Sequence, residues 1–231
     1  MTGPALKATA ERLLAELHAE LEPVERALRA HPLPAALAEG RVARGRLADF
    51  ATEQHTIITS DRRSFAHLAA RHPQAPAGDL FLQLAQGEGV ALGHLGGFAR
   101  WLGLDPATLA DREPGARGQA YTAYVAWLAL NGSATDVALA FLANLAAWGE
   151  NCARVSAALR ERYGAGPAAT AFFDFFATPA PGFREQALAV VDAGLAAGDP
   201  PARARRAARL LQAYELMFWD SFMDGPADGQ G

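Results

Sequence analysis

Apolar residues recur three and four positions apart along almost the whole chain, the spacing that gathers side chains on one face of an α-helix. No segment alternates apolar and polar residues with period two for long enough to make a strand. Ala and Leu, both strong helix formers, fill the intervals. The pattern predicts an all-α protein, a multi-helix bundle of about eight helical segments: roughly 5–21, 24–39, 43–71, 78–102, 117–131, 134–163, 167–177 with 183–197, and 201–223. Chain breakers set these boundaries. Asn131-Gly132 marks a turn, and Ser133 with Asp136 three residues later resembles a capping box, with Asp in place of the usual Glu or Gln. Asp199-Pro200-Pro201 ends one helix and starts the last, because proline, which lacks an N–H, is tolerated in a first helical turn. No fixed-period repeat and no low-complexity linker divides the chain. Residues 1–224 therefore read as a single helical domain, and the tail GPADGQG (225–231), with no core to join, as disordered.

Some of the apolar stripes carry polar members. In LQAYELMFWDSF, Leu211, Glu215, Phe218 and Phe222 share one helix face. In the segment 43–71 the stripe Leu47, Phe50, Gln54, Ile57, Asp61, Phe65, Leu68 contains Gln54 and Asp61, about 10 Å apart along the axis. Asn144, Trp148 and Asn151 line up in 134–163, beside the apolar line of Leu142, Leu145, Gly149 and Cys152. Each polar residue taken alone fits a satisfied core group or an outward-facing side chain. Their occurrence on three long helices points instead to a shared interior site. A carboxylate buried without a partner is expensive, so an inward Glu215 either pairs with a cation or lines a wet pocket. There its pKa rises toward neutrality, the range useful for proton transfer.

Composition narrows the partners. The chain has 231 residues, 51% hydrophobic and 20% charged, with a net charge of −4 and a pI near 5.9. That balance suits a soluble globular protein and gives no electrostatic reason to expect nucleic acid. The one basic run, Arg203, Arg205, Arg206 and Arg209, reads as a solvated helix face. A single cysteine, Cys152, excludes an intramolecular disulfide and fits a reducing compartment. The first residues are charged throughout, with no apolar signal core. The longest uncharged stretch, 118–135, is interrupted by polar residues and is a poor membrane span. A cytoplasmic protein that does not enter membranes is expected.

The residues also resemble a known family, the TenA and thiaminase II proteins of the heme-oxygenase-like helical fold. The resemblance starts at His31-Pro32, passes through LAEG to Gly40 and along 43–71, and resumes at AYTAYV (Ala120 to Val125), at the long helix through Trp148, and at YELMFWD (Tyr214 to Asp220). It implies a proton-transfer role for Glu215, which precedes Phe218-Trp219, and pocket positions for Tyr121 and Trp148. It also implies a small-molecule ligand of the thiamin-related aminopyrimidine class, a homo-oligomer and no cofactor.

The departures from the family pattern are chemical. The family's substrate-binding aspartate falls on Gln54, and a tyrosine seven residues later falls on Asp61. The family's cysteine nucleophile falls on Asn144, whose amide is no substitute for a thiolate. The tyrosine expected after the long helix falls in AFFDFF, which offers only Phe. Cys152, eight residues beyond Asn144, is displaced by about 12 Å along the helix and reads as a small buried hydrophobe. Gln54, Asp61, Tyr121, Asn144 and Trp148 are thus the expected ligand-binding residues of a divergent member, with Asp61 supplying a displaced carboxylate. Two other readings stay open: a binding or regulatory module without chemistry, and a metal-dependent oxidase. For the oxidase, Glu88, His94 and Glu150 stand at separations resembling a di-iron group's first ligands. No histidine follows His94, however, and Asp192 stands with Leu188 and Leu195 where histidines would be needed. Heme has no clear proximal histidine, since His18 lies in an ordinary amphipathic helix.

Overall fold

The computed structural model describes residues 3–223 apart from residue 179, with side chains from Thr9 onward. The expected tail, 225–231, lies outside the described residues. These form nine α-helices and no strand: α1 (Gly3–Arg29), α2 (Pro32–Ala38), α3 (Arg44–Arg71), α4 (Ala77–Trp101), α5 (Ala116–Asn131), α6 (Ala134–Tyr163), α7 (Pro167–Ala177), α8 (Phe183–Ala196) and α9 (Pro201–Asp220). A short 3-10 turn, Pro106–Asp111, joins α4 to α5 and was not expected from the pattern.

The main departure from expectation lies at the start. α1 runs through Pro23 instead of breaking there, because Leu17, Leu21 and Leu28 on either side of the proline are all buried in the core. Their common burial outweighs the one backbone bond that proline removes. The break comes later, at His31, whose Nδ1 accepts the Leu33 N–H at 3.3 Å and caps α2. Elsewhere the punctuation holds. Ser133 and Asp136 complete the capping box at the start of α6, and Pro201 opens α9 in its first turn.

α6 is the central helix, buried on several sides and packed against α1, α2, α7, α8 and α9. α3 packs on α4 and α5, and α5 on α9, so that α3, α5 and α9 face α6 across the interior. Glycines permit the closest approaches around α7. A Cβ on Gly97 of α4 would stand 2.2 Å from the Ala168 carbonyl oxygen, and one on Gly149 of α6 would stand 2.8 Å from that of Phe176.

The arginine run on α9 does more than meet solvent. Arg203 donates to Asp136 Oδ2 at 2.7 Å, Arg209 to Glu20 at 3.0 Å, and Arg205 pairs with Glu16 and Glu20. The stripe therefore ties α9 to α1 and to the cap of α6, although Arg203 and Arg209 remain largely exposed.

Candidate functional site

Every polar residue singled out from the stripes is buried: Gln54, Asp61, Asn144, Asn151 and Glu215. Four of them meet. One pocket of about 440 Å³, counting its open mouth, is lined by Gln54, Ile57, Ile58 and Asp61 from α3, Glu88 from α4, and Tyr121 from α5. Phe141, Asn144, Leu145 and Trp148 from α6, Phe176 from α7, and Glu215 and Phe218 from α9 complete it. All six residues expected at the site line it. Asn151 does not, because it donates to the Leu28 carbonyl at 3.1 Å and fastens α6 to the end of α1.

Asn144 organises the α9 side. Its Nδ2 donates to Glu215 Oε2 and to Gln212 Oε1, both at 3.3 Å, while its Oδ1 accepts the Tyr121 hydroxyl at 3.2 Å. Gln212 in turn donates to the Ala143 carbonyl at 3.1 Å, which fixes its amide. Trp219, one helical turn from Glu215, donates its Nε1–H to Oε1 at 2.7 Å. Both carboxyl oxygens of Glu215 therefore have donors, and among the described residues no cation pairs with it.

The balance of forces on Glu215 is legible. Burial pushes its pKa up to about 7, against the donors Trp219 and Asn144, which favour the ionised form. On α3, burial pushes Asp61 up to about 8, partly offset by the Thr122 hydroxyl donating to its Oδ1 at 2.9 Å. Glu88 is raised well above the usual carboxylate range by burial and by Asp61. Burial and these three carboxyls also lift the Tyr121 phenol.

The walls are aromatic. Trp148 lies parallel to Phe50 with centroids 6.5 Å apart, edge-on to Phe176 at 5.7 Å, and against Phe218 at 6.0 Å. Phe176 belongs to AFFDFF, the segment where the family pattern places a tyrosine, so the wall is kept and the hydroxyl is lost. Glu88, Leu145 and Phe176 are the lining residues that are only half-buried, and they mark the mouth.

Cys152 is fully buried and absent from the lining, and its thiol is pushed well up by burial and by Glu215. It behaves as the small hydrophobe its position suggested. Among the described residues, no group of three or more His, Cys, Asp and Glu is arranged to hold a metal. Of the residues weighed as iron ligands, Glu88 turns into the pocket, His94 packs on Phe175, Glu150 is exposed, and Asp192 accepts the Ala10 N–H.

With this geometry in view, the family profile described as TENA/THI-4/PQQC matches residues 18–225. The chain belongs to that family. Among solved structures, this TenA-family chain is similar to a TenA homologue from P. horikoshii OT3, at 16% identity and a TM-score of 0.74, covering 91% of this chain and 97% of that one. A TenA homologue from Pyrococcus furiosus matches at 21% identity and a TM-score of 0.71, covering 91% and 99%. A protein from Shewanella denitrificans OS217, described as having a heme oxygenase-like fold, matches at 13% identity and a TM-score of 0.70, covering 94% and 98%. At these identities the structures establish the fold alone. A comparison with curated proteins returned no significant match. Among the described residues no helix is long and apolar enough to cross a membrane.

Thr122, Gln212, Trp219, Phe176 and Glu88 also shape the site, and no spacing in the sequence assigns them to it; Phe176 stands in AFFDFF, whose only aromatic residues are Phe. Helical spacing from Asp61 to Thr122 or from Asn144 to Gln212 does not exist, so only the packing of helices joins them.

Proposed function

We propose that this TenA-family protein binds a flat, amine-bearing heteroaromatic ligand, of the thiamin-related aminopyrimidine class, and hydrolyses it with Glu215 as acid and base. The observation that carries this reading is the Glu215 carboxyl, shifted to about 7 and held by Trp219 and Asn144 at the wall of an aromatic pocket. A group titrating near neutrality serves in either direction of proton transfer.

Because Asn144 offers no thiolate, water is the nucleophile in this reading. The ionised Glu215 takes a proton from the water as its oxygen bonds to the ring carbon. It then returns that proton to the amine as the carbon–nitrogen bond breaks, leaving a hydroxylated ring and free amine. Tyr121 and Trp148 hold the ring, and Gln54 and Asp61 hydrogen-bond its edge.

The test is mass spectrometry of thiamin-related aminopyrimidines incubated with wild type and Glu215→Gln. Product formation is expected to fall by about 100-fold or more in the variant, with the circular-dichroism melt retained. Equal product from both proteins refutes the role of Glu215. The absence of any thiol from the pocket favours one competing reading, a ligand-binding or regulatory module. That reading is distinguished by a specific thermal shift with the same pyrimidines and no product from wild type.

A further inference from the structure

The polar groups on the α3–α4 side of the pocket are not used up by the Glu215 network. Gln54 is 4% exposed, lines the pocket, and has no hydrogen-bond partner among the described residues. Asp61 is 3% exposed and is held by Thr122 through Oδ1 alone. Glu88, reaching in from α4, makes no hydrogen bond or ion pair among the described residues and feels the charge of Asp61. Among the described residues the lining thus carries three carboxyls and an idle amide and no Lys, Arg or His. Arg62, which follows Asp61 in the chain, lies over the backbone at Gly89, where a Cβ would meet its guanidinium carbon at 3.2 Å. It forms no ion pair with either carboxyl.

Ionising two carboxyls that face one cavity without a cation is costly, and a bound positive group would offset that cost. We propose that Asp61 and Glu88 form a cation subsite that takes the protonated amidine or amine of a flat aromatic ligand, with Gln54 accepting a further N–H. The proposal rests on reading the pocket as a ligand site, and it assigns ligand charge to α3 and α4, leaving Glu215 on α9 free for proton transfer. An organic cation fits better than a metal ion. The site has two carboxyls and one amide, fewer donors than hard divalent cations take, while Tyr121, Trp148, Phe176 and Phe218 supply ring faces that attract cations. An amidinium also offers two parallel N–H groups, which pair with a carboxylate bidentately.

Burial pushes Asp61 to about 8, so a ligand of fixed positive charge should bind more tightly as pH rises through that value. The titratable groups that interact with Asp61 are Glu88 from α4 and Tyr121 from α5, and Glu215 from α9 lines the same pocket.

Isothermal titration calorimetry with benzamidine and its uncharged isostere benzamide tests the subsite on wild type, Asp61→Asn, Glu88→Gln and Glu215→Gln. Wild type is expected to prefer benzamidine by about tenfold or more. Both Asp61→Asn and Glu88→Gln should lose that preference, binding the two compounds within about twofold of each other, and Glu215→Gln should keep it. Equal affinities in wild type, no benzamidine binding up to millimolar concentration, or a preference surviving either α3–α4 variant would overturn the pair. Loss of the preference in Glu215→Gln alone would move the cation site to α9 and also overturn it. Because turnover reads Glu215 and charge preference reads Asp61 and Glu88, failure of one proposal leaves a different signature from failure of the other.

Discussion

Asn144 spends its whole side chain on the groups that set Glu215: two donated bonds, to Glu215 and Gln212, and one accepted from Tyr121. A donor to a carboxylate lowers its pKa, so losing that donor should raise it. Asn144→Ala is therefore expected to move the acid limb of any pH–rate profile upward from about 7, with binding of benzamide little changed. An unchanged limb, measured over the same buffers for both proteins, would show that Asn144 does not govern Glu215. At this scale much of the site was readable from sequence. Gln54, Asp61, Asn144 and Glu215 interrupt apolar stripes, and a polar residue on a buried face announces itself by its period. Glu88 gave no such signal. It sits in QGEGVALGH, among small residues on a half-exposed helix, and becomes a pocket residue only because α4 lies against α3 at that point.

At the scale of elements, the pocket depends on how near α7 comes to α6. The Phe176 carbonyl stands where a side chain on Gly149 would be, and Phe176 itself forms part of the mouth. Gly149→Ala should push the end of α7 outward, destabilise the fold by about 1–3 kcal/mol and weaken ligand binding together. Urea unfolding combined with calorimetry checks this, and a variant matching wild type in both would sink it. The helices themselves followed their sequence signals at most ends, because caps and prolines act locally: the Ser133–Asp136 box and Pro201 behave as their positions dictate. Where tertiary burial competes with a local signal, burial wins. Pro23 marks a break in the sequence, but the buried leucines around it carry α1 straight through. The closeness of α6 and α7 is of the second kind, since the glycine is visible in the sequence while its partner on another helix is not.

Across the whole molecule, the same three carboxyls that equip the pocket should cost stability as pH rises. Burial holds Asp61 at about 8 in the folded chain against 3.8 for a free aspartate, and it shifts Glu215 and Glu88 in the same direction. Between those two values the folded chain keeps a proton that the unfolded chain releases. The unfolded state then binds fewer protons, so stability falls with rising pH, by up to about 1.4 kcal/mol per pH unit for one such group. The stabilising contribution of the bound proton is complete below the unfolded pKa and gone above the folded one. Asp61→Asn cannot ionise, and its amide oxygen can still accept the Thr122 hydroxyl. Relative to wild type it should therefore be distinctly more stable at about pH 8 than at about pH 5. Urea midpoints for the two proteins at both values decide the matter, and parallel pH curves would mean that Asp61 is ionised in the folded pocket. A saturating cation reverses the sign for the wild type, because a ligand that binds the ionised pair preferentially returns stability at high pH. Adding benzamidine should then raise the wild-type midpoint more at about pH 8 than at about pH 5, with a much smaller difference between the two values for Asp61→Asn, so one titration ties the fold's pH dependence to the charge of its ligand.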